Sequence, residues 1–226
     1  MKNYILVLIS ILMITSCDSY LDKHQVYLED GETVYLQKVD SVSICPGNKR
    51  AEFKLFYSNG NKLNHTILYW NNGANSITFD CEGLKAGKDS LIIIHEMEEG
   101  NYSFEIVNVN KYDQRSLKVP AFSSIYGDVY ASGLTNRVIK KVSKINQDQG
   151  VKIEWHVPPS NYNKLEVKYI SPEDNSVKIV TVENSDNVVI NEIPKGKVIK
   201  YRTFYKPEEL AIDLFPAEWS NDIVIP

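Results

Sequence analysis

The chain has 226 residues, of which 43% are hydrophobic and 24% charged. This composition belongs to a core-forming globular protein and excludes a disordered tail, a collagen-like fibre and a polytopic membrane protein. The formal net charge of −4 argues against a nucleic-acid partner.

The N-terminus reads as a leader. Lys2 precedes an apolar run from Tyr4 to Ile14, followed by Thr15-Ser16-Cys17. A positive start, an apolar centre and small residues before the cut describe a secretory signal peptide over residues 1–16. The run is too short to cross a bilayer, which takes about 20 helical residues. Ile14-Thr15-Ser16-Cys17 resembles the bacterial lipobox. That resemblance implies a lipid on the Cys17 thiol, and several acyl chains there anchor a protein stably to a membrane. Residues 17–36 follow as a tether and lead-in strand.

Alternating apolar residues then recur in short runs: Ala51 to Tyr57, His65 to Trp70, Leu91 to His95 and Tyr102 to Val109. Turn clusters separate them, among them Pro46-Gly47-Asn48, Asn71-Asn72-Gly73 and Glu98-Glu99-Gly100-Asn101. Period-two runs punctuated by Gly, Asn and Pro predict an all-β sandwich. The only helix-like stretch is Pro207 to Leu214.

The second half repeats the layout at a spacing near 100. Phe53-Lys54-Leu55 corresponds to Ile153-Glu154-Trp155, Tyr69 to Tyr169, and Asn75-Ser76 to Asn175-Ser176. After a small deletion, His95 to Gly100 falls on Asn191 to Gly196. The fold expected is two tandem immunoglobulin/fibronectin III-like β-sandwiches, residues 37–120 and 142–226, with a junction over 121–141. In the second copy, Val151 to Trp155 with Pro158-Pro159 resembles the second strand and core tryptophan of a fibronectin type III domain. In the junction, Tyr126, Tyr130 or Arg137 is expected to pack between modules. Tyr201-Arg202 and Asp213 are expected to form a structural ion pair.

Across both copies the chain resembles a family of Bacteroidetes lipoproteins defined by a domain of unknown function. The match is carried by Gly31-Glu32-Thr33-Val34-Tyr35, Tyr69-Trp70-Asn71-Asn72-Gly73, Tyr126-Gly127-Asp128-Val129-Tyr130 and Tyr201 to Glu208, with Ala211 to Phe215. The resemblance implies a cell-envelope, outer-membrane lipoprotein, often found beside carbohydrate-handling systems, with no activity attached to it.

Residues with catalytic chemistry are sparse. Four histidines are present, and none has metal-ligand spacing. His95-Glu96 opens like a zinc-protease signature, but Glu99 stands where the second histidine belongs. No enzyme activity, cofactor or metal is expected. Cys45 and Cys81 remain beside Cys17. Either they bridge, closing a loop of about 36 residues worth roughly 4 kcal/mol, or they are two free thiols.

Binding is the remaining chemistry. Sugars stack on exposed aromatics flanked by amides and carboxylates, a composition found at Tyr69-Trp70-Asn71, Tyr162-Asn163 and Trp219. Tyr69, Trp70, Asn71, Tyr162 and Trp219 are therefore the candidate ligand residues. Two readings stand: a glycan-binding accessory of a polysaccharide-uptake system, or a spacer or protein-interaction module of the envelope. An exposed co-planar aromatic pair would favour the first, an apolar strip on an edge strand the second.

Overall fold

The structure, a computed structural model, describes residues 35–145, 150–191 and 193–226. The leader, Cys17 and all of the tether up to residue 34 lie outside the described residues.

Two β-sandwiches follow one another. In the first, β1 (Ser41–Pro46), β2 (Arg50–Asn59) and β5 (Ala86–Glu96) make one sheet in the order β1-β2-β5. The facing sheet has the order β4-β3-β6-β7, from β3 (His65–Trp70), β4 (Asn75–Asp80), β6 (Gly100–Val109) and β7 (Val119–Ile125). The second module repeats this plan. Its smaller sheet is β12-β9-β8, from β8 (Ile139–Ile145), β9 (Gly150–Trp155) and β12 (Asn187–Ile190). The larger sheet runs β11-β10-β13, from β10 (Tyr162–Ile170), β11 (Val177–Glu183) and β13 (Val198–Tyr205). Its last edge is split into two short pieces, β14 (Phe215–Pro216) and β15 (Ile223–Val224), both pairing with β13. The modules are thus two copies of one fibronectin III-like topology.

The alternation fills both cores. Ala51, Phe53, Leu55 and Tyr57 project from β2 into the first, where Phe53 meets Phe104 edge-on at 5.2 Å. Ile153 and Trp155 take the places of Phe53 and Leu55 in the second core. Met97 and Ile193, matched by the sequence repeat, are both buried. The Tyr69–Tyr169 match fails: Tyr169 is buried in the second core, while Leu68 and Trp70 point inward on β3 and leave Tyr69 outside. Even-numbered residues face the core on β3 and odd-numbered ones on β10, so a spacing of 100 sets a surface position against a core one.

The first copy has a tyrosine corner. Tyr102, at the start of β6, donates its hydroxyl to the Glu98 carbonyl four residues upstream at 3.0 Å. The sequence repeat sets Val198 at this position in the second copy, and Val198 is exposed on β13.

Three expectations change. β7 belongs to the first sandwich and β8 starts at Ile139, so the junction is residues 126–138, shorter than 121–141. The stretch from Pro207 to Leu214 is an irregular loop, because it lies against the first module and bonds there (Ile212 N–H to the Pro46 carbonyl, 2.8 Å) instead of closing a helix. The short helix is in the junction, α1 (Asp128–Ser132). Its N-cap, Gly127, has no side chain. Glu99 caps it from thirty residues away, accepting the Val129 and Tyr130 N–H groups, both at 2.7 Å.

Cys45 and Cys81 are free thiols, not a bridge. Cys45 pairs in register with Glu52, on the face of β1 turned away from the first core. Cys81 faces that core, 3.3 Å from the Thr66 hydroxyl. The sheet lies between the two side chains, so no S–S bond can form without moving backbone.

Candidate functional site

The structure separates the five candidate ligand residues. Trp70 packs partly into the first core and meets the His95 ring edge-on at 5.8 Å. Tyr69, on the other side of β3, accepts a hydrogen bond from Arg115 at 3.3 Å. Asn71 sits in the β3–β4 turn, where Asn71, Asn72 and Gly73 all have positive φ (52°, 54° and 84°). Its amide donates to Asn75 at 2.9 Å. Trp70, Asn71 and Asn75 border a shallow recess of about 670 Å³ with Lys49, Arg50 and Glu98.

Tyr162 and Trp219 are in the second module and are both occupied. The Tyr162 hydroxyl donates to the Val182 carbonyl at 3.1 Å, and the Arg137 guanidinium lies 5.2 Å from its ring centre. Burial pushes its phenol pKa up. Trp219 lies on the outer face of β10 and β13, with Lys168 Nζ 4.1 Å and the Arg202 guanidinium 4.5 Å from its ring centre. The stack continues to Phe204, which Arg202 and Lys164 both approach at 4.8 Å. Cations and aromatic rings alternate along this face, an arrangement attractive through the ring quadrupole. Glu166 holds the ladder together, accepting from Arg202 Nε at 3.0 Å and a terminal nitrogen at 2.8 Å. Arg202 is therefore paired with Glu166, not Asp213. Glu166 lies directly opposite it on β10, whereas Asp213 lies on the loop that leaves this sheet for the first module. With cations over its ring, Trp219 is not an open platform for a sugar.

The most elaborate polar assembly lies where the modules meet. Asp213 reaches back to the β1–β2 hairpin, accepting from Arg50 Nε at 2.9 Å, Arg50 Nη2 at 2.6 Å and the Asn48 N–H at 2.8 Å. The Arg50 guanidinium holds the Asp213 carboxyl below the usual carboxylate range. Gly47 makes this approach feasible, since a Cβ there would collide with Asp213 and Ile212. Beside the ion pair, Tyr126, Tyr130 and Phe215 form an edge-to-face trio with ring centres 4.9 to 6.0 Å apart. Tyr126 is tied to the hairpin through its backbone, its carbonyl accepting from Lys49 at 2.8 Å and its N–H donating to Gly47 at 3.3 Å. Tyr126 and Tyr130 thus occupy the joint as expected. Arg137 does not. It is buried within the second module, donating to the carbonyls of His156 (2.6 Å) and Ser185 (3.1 Å) and to the Asp186 carboxylate.

Two exposed apolar strips escaped the sequence reading. On β5, the outer strand of its sheet, Ile92 and Ile94 are 58% and 56% exposed. On the second module, Val177, Ile170, Val198 and Val224 lie side by side across four strands, all exposed. Leu91-Ile92-Ile93-Ile94 was visible as a strand. A continuous apolar run at a sheet edge, rather than alternation, was the available signal.

Among the described residues, no three His, Cys, Asp or Glu side chains converge as metal ligands would. Residues 17–215 match the family model DUF4998, a domain of unknown function. The chain belongs to this family. The family's domain spans both sandwiches and the joint between them. Among solved structures, the chain is similar to a two-domain fibronectin type III segment of chicken tenascin, at 12% identity and a TM-score of 0.35, covering 83% of this chain and 99% of that one. It is also similar to the FN1–FN3 domains of chicken CNTN1, at 11% identity and a TM-score of 0.42, covering 85% of this chain and 68% of that one. No curated protein matches it.

Proposed function

We propose that this member of DUF4998 is a non-catalytic protein of the bacterial cell envelope, anchored through an acylated Cys17. In this reading its two sandwiches form a rigid spacer that holds an interaction surface in a fixed orientation. The observation that carries the reading is the joint. A freely jointed pair of modules needs only a polar linker. Here an ion pair between residues 163 apart, a glycine that admits it and a packed aromatic trio lock hairpin to loop. The candidate aromatics offer no co-planar exposed pair, and the apolar strip on β5 lies on an edge strand, both of which support a protein partner over a sugar. Small-angle scattering of the whole chain carrying Cys17→Ala tests the joint. One fixed inter-module angle is expected, and a profile that fits only a broad range of angles overturns the reading. Membrane fractionation tests the anchor: wild type partitions with membrane and Cys17→Ala does not.

The recess at Trp70 favours a second reading, a glycan-binding accessory, because it combines an indole edge with three asparagines and charged groups of both signs. A polysaccharide-array screen decides it. Binding that is lost in Trp70→Ala supports the accessory role, and absence of binding to every glycan removes it.

A further inference from the structure

The β5 strand carries an interaction surface whose occupant its own residues specify. In the β1-β2-β5 sheet, β5 hydrogen-bonds to β2 on one side only among the described residues, which leave its other edge open. The direction of its polar groups follows from β2. The Phe56 carbonyl accepts from Asp40 N–H at 2.9 Å and the Arg50 carbonyl from Gly47 N–H at 2.8 Å, so the even-numbered residues of β2 face β1. The odd-numbered ones therefore bond β5, through its odd-numbered residues Leu91, Ile93 and His95. Ser90, Ile92 and Ile94 are left with N–H and C=O groups aimed at the open edge.

These residues also share the outward face, with Lys88 and Glu96 beyond them, both exposed. The strand Lys88-Asp89-Ser90-Leu91-Ile92-Ile93-Ile94-His95-Glu96 is complementary to itself when reversed about Ile92. Antiparallel pairing with a second copy sets Ile92 against Ile92, each Ile94 against Ser90, and each Lys88 against Glu96. On the inner face the same register sets Leu91 against Ile93 and Asp89 against His95. An arbitrary edge strand has no reason to place opposite charges at both ends of one reversed register with isoleucines at its centre. Directly opposed residues at about 5 Å are the unit of sheet stabilisation, and like charges there are unfavourable.

We propose that two copies of the chain associate through antiparallel β5 edges about a two-fold axis at Ile92. The two three-stranded sheets then become one six-stranded sheet, and the exposed isoleucines close against each other. The interface is isologous, as symmetric pairing requires. One group opposes it. Asp89 accepts the Lys85 and Ser90 N–H groups, each at 2.8 Å, and so covers one donor of the open edge. Pairing displaces that contact, which makes Asp89 a brake on association.

Sedimentation equilibrium of the whole chain carrying Cys17→Ala, with variants, tests the proposal. Wild type is expected in a concentration-dependent monomer–dimer equilibrium. Ile92→Lys weakens the dimer at least tenfold, and this exposed site tolerates lysine without unfolding. Lys88→Glu weakens it severalfold, Lys88→Glu with Glu96→Lys restores it, and Asp89→Ala tightens it severalfold. A monomer at every concentration, or a dimer indifferent to Ile92→Lys and to the charge swap, overturns the proposal. A dimer that survives these changes but is lost on substituting Val198 would place the contact on the second module instead and equally overturn it. A monomer leaves the rigid-joint reading untouched, since scattering tests that alone.

Discussion

Arg137 is the residue whose loss should damage the second module most. Its side chain is 1% exposed, and all three of its acceptors belong to loops of that module. Asp186 is 70% exposed, so water recovers it and its share is at most about 1 kcal/mol. The carbonyls of His156 and Ser185 each lose a charged donor, at about 1.5–2 kcal/mol apiece. The sum is about 3–5 kcal/mol. For a module of this size, 1 kcal/mol moves the midpoint by about 4–8 °C, so Arg137→Met should lower it by roughly 12–40 °C. Arg137→Lys should recover less than half, because an ammonium cannot fork to three acceptors. Scanning calorimetry reads the transition, and emission of the buried Trp155 assigns it to the second core. A loss below about 1 kcal/mol, or full recovery with lysine, would refute the assignment of the energy to directed hydrogen bonds.

Three further outcomes follow from the same contacts. Tyr102→Phe removes the bond to the Glu98 carbonyl and should destabilise the first module by about 1 kcal/mol in urea, with no change in the second transition. The Asp213 carboxyl has its folded pKa lowered by Arg50, so its stabilisation is present above the unfolded value near 4 and is lost as pH falls through the lower folded value. Asp213→Asn should abolish that acid dependence and broaden the range of inter-module angles seen by scattering. The Cys81 thiol, pushed up by burial, should alkylate far more slowly than an exposed cysteine in the native protein. In denaturant without reductant, Cys45 and Cys81 should both titrate as thiols, and recovery of neither would refute the sidedness argument.

The strand plan was legible because alternation and turn residues act locally. The repeat placed Phe53 with Ile153 and Met97 with Ile193 correctly, and all four are buried. The Tyr69 and Tyr169 match misled because identity of residue type says nothing of register, and one residue of slip turns a side chain from core to surface. Long-range pairing was equally hidden. Asp213 was near Arg202 in sequence, yet its partner is Arg50, brought to it only by the docking of two modules. Pro207 to Leu214 has the composition of a helix start but closes only a turn and gives the Ile212 N–H to the Pro46 carbonyl of the neighbouring sandwich. Of the candidate aromatics, sequence could show composition and not company. Trp219 looked like an open ring until Lys168 and Arg202 were placed over it.

The first module also bears on how the chain carries tension. It enters that module on β1 and leaves on β7, and the flanking bridges Leu36–Ser116 and Asn48–Tyr126 are both parallel. Pulling the two sides of the module apart therefore slides these segments lengthwise past each other. The bonds joining Tyr126 to Gly47 and Lys49 are loaded together, not unzipped in turn. Antiparallel neighbours pulled from a shared end would peel one bond at a time at much lower force. Tyr126 belongs both to this edge, through its backbone, and to the aromatic trio of the joint, through its ring, so a load on the edge reaches the joint directly.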